Sequence, residues 1–154
     1  MKEISCGKET GCSVLIIEDN SVDAQILRLV LEQRSIEVTY CSNGDQAWNL
    51  IHHVPVPDLV FLDLMLPGVN GFTLLEHIRS KSLWEKVPVV VVSGIGDIAN
   101  VKEALRLGAA GYIHKPYDLR RLRDEINKYL ARLITSLPAE LKHGGYAKKP
   151  GHET

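Results

Sequence analysis

Leu59-Val60-Phe61-Leu62-Asp63 is the stretch on which the fold turns. An apolar run of strand length ends on a carboxylate. Other stretches repeat the pattern: Val14-Leu15-Ile16-Ile17 runs into Glu18-Asp19, Val89-Val90-Val91-Val92 into Ser93, and Tyr112-Ile113-His114 into Lys115-Pro116. Near-continuous apolar runs, rather than strict alternation, belong to strands covered on both faces of a parallel sheet. In such an open sheet the C-terminal strand ends share one edge, and ligands bind along it. Carboxylates, a hydroxyl and an ammonium then converge on one cleft, a set suited to a divalent cation and a phosphoryl group.

Outward from these runs, strands and helical periods alternate from Ser13 to about Leu137, which predicts successive βαβ units. Ser21 or Asp23 is placed to cap a first helix carrying Ile26, Leu27, Val30 and Leu31. A weaker, edge-like strand at residues 36–41 leads to an Asn43-Gly44 turn. Ala47, Trp48, Leu50 and Ile51 mark a short helix that Pro55 and Pro57 bar from continuing. A loop rich in turn formers, residues 64–71, precedes a helix marked by Phe72, Leu75 and Ile78. Gly94 and Gly96 open the loop before a helix carrying Val101, Ala104, Leu105 and Leu107, with Gly108 as its natural stop. A last helix starts near Asp118. The predicted fold is α/β, a doubly wound five-stranded parallel sheet. Its expected span is residues 13–130, with a polar N-terminal extension at 1–12 and a C-terminal helix extension and tail at 131–154.

A chain of 154 residues can bury a real core. Its net charge of −1 provides no global field for nucleic acid or a membrane surface. Charge is uneven, with 10 Lys/Arg against 14 Asp/Glu over residues 1–117 and 8 against 5 beyond, but the basic excess reads as a solvated helix face. No apolar stretch approaches the ~20 residues of a membrane span, and the polar start has no signal-peptide core. The three cysteines match no metal spacing and read as reduced thiols of a cytoplasmic protein. Adjacent His52 and His53 would point about 100° apart on a helix and cannot chelate one metal together.

Glu18 and Asp19, side by side at a strand end, are unfavourable unless something positive lies nearby. With Asp63 they can share a Mg²⁺, which needs one or two carboxylates plus water and phosphate oxygens. Asp63 suits either a structural carboxylate or a nucleophile that forms an acyl phosphate. Ser93 could hydrogen-bond the phosphoryl group or cap the next turn. Lys115 could pair with a carboxylate before reaction and a phosphoryl oxygen after it, or sit solvated. Their joint placement is what points to one site.

Glu18-Asp19-Asn20, residues 63–71 (DLMLPGVNG), Ser93-Gly94 and residues 111–116 (GYIHKP) resemble the receiver domains of two-component response regulators. The resemblance covers about Ser13 to Leu130, with the motifs in the family's order, and implies that the sheet has the flavodoxin-like (βα)5 form. It implies that Asp63 is the phosphoacceptor. It implies also that Glu18, Asp19, Asp63 and the backbone carbonyl of Met65 bind Mg²⁺, with Mn²⁺ as an alternative. Ser93 would be the switch hydroxyl, Lys115 the phosphoryl partner, Lys115-Pro116 a cis peptide, and Tyr112 the aromatic that follows the switch. Implied partners are a histidine kinase or phosphotransfer protein upstream and a protein target downstream. The chain would not be an enzyme beyond self-catalysed phosphotransfer and slow autodephosphorylation. Gly94 departs from the family, which more often has Ala there, and Gly96 should loosen the loop.

Other classes fit less well. Phosphohydrolases with an aspartyl nucleophile often carry a second acid two residues on, where this chain has Met65. A nucleotide or flavin module needs a phosphate loop after its first strand, and Glu18-Asp19 would repel phosphate. A DNA-binding regulator needs a helix-turn-helix module after the receiver, which the glycine- and proline-bearing tail cannot supply. Leu119, Leu122, Ile126, Leu130, Leu133 and Leu137 form a stripe along the last helix. The first three are expected on the sheet. Leu130, Leu133, Ile134 and Leu137 are expected beyond it, either as a contact surface for a homodimer or partner, or folded back on the domain.

Overall fold

A computed structural model describes residues 11–32, 36–116 and 118–136, without the side chains of 132–136. Strands and helices alternate as β1 (Ser13–Ile17), α1 (Ser21–Glu32), β2 (Glu37–Cys41), α2 (Gly44–Ile51) and β3 (Leu59–Leu62). The series continues as α3 (Gly71–Ser80), β4 (Val89–Ser93), α4 (Ile98–Arg106), β5 (Gly111–His114) and α5 (Leu119–Ser136). The strands form one parallel sheet in the order β2-β1-β3-β4-β5. This is the predicted flavodoxin-like arrangement. Because the chain starts in β1, passes to one edge and then crosses to the other, the sheet is wound in both directions.

Side chains alternate between two cores, as the two-residue period of a strand requires. Leu15, Ile17, Val60, Leu62, Val89 and Val91 face α2, α3 and α4. Val14, Ile16, Leu59, Phe61, Val90 and Val92 face α1 and α5. Every residue of β3 and β4 is buried, which explains their unbroken apolar sequences. Cys41 is buried, and burial pushes its thiol up to about 11, so it stays protonated and unreactive. Among the described residues no helix is long and apolar enough to cross a membrane.

The helix ends follow local chemistry. Asn43, Asn70 and Asp97 cap α2, α3 and α4 by accepting the amides of Gln46, Thr73 and Asn100. Gly108 has φ +102° and closes α4, with Gly108 N–H donating to Leu105 O (3.1 Å) and Ala109 N–H to Ala104 O (2.9 Å). The Arg79 guanidinium donates to Gly108 O (3.0 and 2.8 Å) and Val87 O (2.7 Å), stitching that turn to the entry of β4.

Some expectations are corrected. Neither Ser21 nor Asp23 caps α1. Asn20 does, accepting the amides of Val22 (3.0 Å) and Asp23 (3.1 Å), because its own carbonyl takes the first helical bond, from Ala24. On α5, Leu119 is 51% exposed whereas Leu130 is only 7% exposed. The first turn overhangs the edge where the strands end. The packed window, Leu122 to Leu130, spans about 12 Å of helix, comparable to a strand of this length. On α4 only Ala104 is buried, and Leu105 is exposed. The side chains of Leu133 and Ile134, and all of Leu137, lie outside the described residues.

Candidate functional site

The sheet register assembles the site. Ile17 pairs with Leu62, and the ladder runs one residue further, with Asp63 N–H donating to Ile17 O (2.9 Å) and Glu18 N–H to Cys41 O (3.0 Å). Glu18 and Asp63 therefore leave adjacent strands side by side. Ser93 pairs with His114, and Lys115 N–H donates to Ser93 O (2.9 Å), so Lys115 leaves β5 beside Ser93. The Lys115-Pro116 peptide is cis.

Glu18 and Asp63 are buried and Asp19 is exposed, yet one carboxylate oxygen from each lies within 4.8 Å of the others. Lys115 Nζ reaches all but Asp19. It donates to Glu18 Oε2 (2.6 Å) and Asp63 Oδ2 (3.0 Å), and it lies 2.9 Å from Asp23 Oδ2. Both oxygens of each buried carboxylate are held. Asp63 Oδ1 accepts the Met65 amide (2.9 Å), and Glu18 Oε1 accepts the Asn20 amide (3.1 Å). Gly71 lets α3 pack against this turn, since a Cβ there would collide with the backbone of Asp63 and Leu64.

The electrostatics follow from burial and crowding. The Glu18 carboxyl is held up at about 8: burial raises it most, the bond to Lys115 lowers it, and neighbouring Asp63 raises it. Burial opposes the charge of Lys115, but its bonds to Glu18, Asp23 and Asp63 outweigh this and hold its pKa above the ordinary lysine value. One ammonium does not balance these carboxylates. Clustered hard oxygens at two strand ends are the donor set that a Mg²⁺-like cation takes, so the residues fit such an ion.

Ser93 is fully buried, and its Oγ accepts the Ile95 amide (3.3 Å), so it supports the following turn. Tyr112 is half-buried. Its hydroxyl donates to Ile95 O, and burial raises its pKa while a hydrogen bond with Ser93 lowers it. Met65 is 62% exposed at the mouth of the cleft. The structure thus brings Glu18, Asp19, Asp63, Met65 and Lys115 together, with Ser93 and Tyr112 joined through the β4–α4 loop.

Asp23 and Tyr40 were not anticipated. Asp23 reads locally as a helix-start acid, and only the fold brings Lys115 to it. Tyr40 Oη donates to Glu18 O (2.8 Å), tying β2 to the site from the sheet edge. The aromatic in a strand ending near Glu18 was the one available signal for it.

The family model described as the response regulator receiver domain matches residues 14–127. The phosphate regulon transcriptional regulatory protein PhoB of Escherichia coli (strain K12) is 31% identical over 120 residues, covering 78% of this chain and 52% of the relative. Sporulation initiation phosphotransferase F of Bacillus subtilis (strain 168) is 31% identical over 117 residues, covering 76% of this chain and 92% of the relative. The chain thus spans about half the length of the first and nearly all of the second. The signal receiver domain of a DNA binding response regulator protein from Colwellia psychrerythraea 34H superposes with a TM-score of 0.70 at 31% identity, covering 77% of this chain and 98% of that domain. Matched from β1 into α5, and carrying its acidic cluster at the strand ends, the chain belongs to the response regulator receiver domain family.

Proposed function

We propose that the protein is a phosphorylation-driven binding switch whose phosphoacceptor is Asp63. The observation that carries this reading is the position of its carboxylate. It is 5% exposed, held by the Met65 amide, 3.0 Å from Lys115 Nζ, and within 4.8 Å of the carboxylates of Glu18 and Asp19. A histidine kinase or phosphotransfer protein is the proposed donor, and the match to nearly the whole of the sporulation phosphotransferase supports phosphotransfer as the chemistry. The downstream partner is a protein target.

Glu18, Asp19, Asp63 and the Met65 carbonyl are the proposed holders of Mg²⁺ or Mn²⁺. A bound ion would supply positive charge to neutralise the phosphoryl oxygens while the electron pair of the breaking bond passes to the leaving group. One Asp63 oxygen forms the bond to phosphorus as the bond to the donor nitrogen breaks. Lys115 then exchanges a carboxylate contact for a phosphoryl oxygen. The Ser93 hydroxyl turns from the Ile95 amide towards the phosphoryl group, and Tyr112, bonded to the same loop, follows it. This chain catalyses its own modification and slow dephosphorylation and turns over no other substrate.

The test is incubation with acetyl phosphate, with and without Mg²⁺, read by intact mass. One phosphoryl adduct is expected on the unaltered protein with metal, and none on Asp63→Asn. An equal adduct on that variant would overturn the assignment.

A further inference from the structure

We infer that Asp23 is a positioning residue that holds the Lys115 ammonium in the resting state and gives it up when Asp63 is phosphorylated. This rests on the phosphoacceptor reading and adds a residue and a direction of control to it. An ammonium has three N–H bonds to donate. In this protein Glu18 Oε2, Asp23 Oδ2 and Asp63 Oδ2 lie 2.6, 2.9 and 3.0 Å from Nζ. Lys115 is therefore saturated, and a new phosphoryl contact requires one of these carboxylates to be released.

Three observations single out Asp23. First, its usual task is already taken. An acid at the third position of a helix bonds the amide of the capping residue, but here the Asn20 amide goes to Glu18 Oε1 at 3.1 Å. The Asp23 carboxylate is thus free to serve Lys115. Second, the helix aims it there. Side chains tilt towards the helix N-terminus, so Asp23 in the first turn of α1 projects back over the strand ends. Third, it is the most exposed of the three partners, at 26% against 1% for Glu18 and 6% for Asp63. Water can solvate Asp23 after release, whereas it has little access to Glu18. Asp63 itself carries the incoming group.

Asp23 therefore competes with the phosphoryl group for one cation and favours the unphosphorylated state. The experiment is calorimetric titration of the Mg²⁺-saturated 154-residue chain with beryllofluoride, for the unaltered chain, Asp23→Asn, Lys115→Ala and the double variant. Asp23→Asn should bind roughly two- to fivefold more tightly, the size of a partly exposed ion pair. The gain should vanish in the Lys115→Ala background, which a merely structural role for Asp23 would not produce. Unchanged or weaker binding by Asp23→Asn, or the same gain without Lys115, would overturn the proposal. Failure of the unaltered protein to take up beryllofluoride would overturn the phosphoacceptor reading and this inference with it.

Discussion

Lys115 Nζ lies 2.6 Å from Glu18 Oε2, joining the end of β5 to the end of β1 across two intervening strands. Among the described residues, Lys115 is the only cation paired with the cleft's buried carboxylates. Glu18 is held well above the usual carboxylate range by burial, at about 8 against 4.5. A folded pKa above the unfolded one means that the folded state binds the proton more tightly. Its stabilising effect is complete below about 4.5 and is lost as pH rises through about 8. Glu18→Gln should therefore stabilise the metal-free protein on the order of 1–2 kcal/mol near pH 8 and have little effect near pH 5. Urea midpoints at both pH values check this, and an equal gain at each would contradict it.

Strand identity and the location of the cleft were legible because β3 and β4 are buried on both faces and each run ends on a polar residue. The strand order rests on the family resemblance, since apolar runs do not say which strands are neighbours. Asp23 was misread for that reason: its bond to Lys115 depends on β5 lying beyond β3 and β4. Helical period alone also misplaced Leu119 and Leu130, because it says which side of α5 is apolar but not where the sheet stops.

His77 stacks on Trp48 with ring centroids 3.5 Å apart, and its Nε2 lies 3.2 Å from His52 Nε2, which in turn has Lys81 Nζ 3.1 Å from its Nδ1. Burial, then Lys81 and His52, lower the His77 pKa below 6.5. The unfolded chain thus takes the proton first as pH falls. The contact is at full strength above about pH 6.5 and weakens as pH drops through the lowered value. His77→Gln should lose less stability than the unaltered protein between about pH 7.5 and about pH 5.5. Thermal unfolding at the two pH values checks it.

The phosphorylated protein should be long-lived. Hydrolysis needs a water aligned with phosphorus, and polar side chains flanking the site can hold it. Here the flanking positions are exposed Met65 and half-buried Ile95, neither of which can orient water. Replacing them by Asn and Glu should speed loss of the phosphoryl group, on the order of tenfold or more. A half-life of seconds in the unaltered protein, or no acceleration in the double variant, would count against this account.

The end of α5 is proposed as a contact surface for a second copy or a partner. Leu130 belongs to the core, so ending the chain after Tyr129 should cost about 2 kcal/mol or more. Ending it after Ala131 keeps Leu130 and removes only the extension. Sedimentation of that shorter chain, with and without beryllofluoride, should show weaker association. Unchanged association would remove the extension from consideration as an interface.

The most direct test of the central claim is to locate the phosphoryl bond. Borohydride reduces an aspartyl phosphate to homoserine, which tandem mass spectrometry can place in the sequence. After acetyl phosphate and Mg²⁺, homoserine should replace aspartate at position 63 alone, and it should be absent without the metal. Homoserine at Asp19 or Asp23, or equal conversion without a divalent cation, would contradict the account.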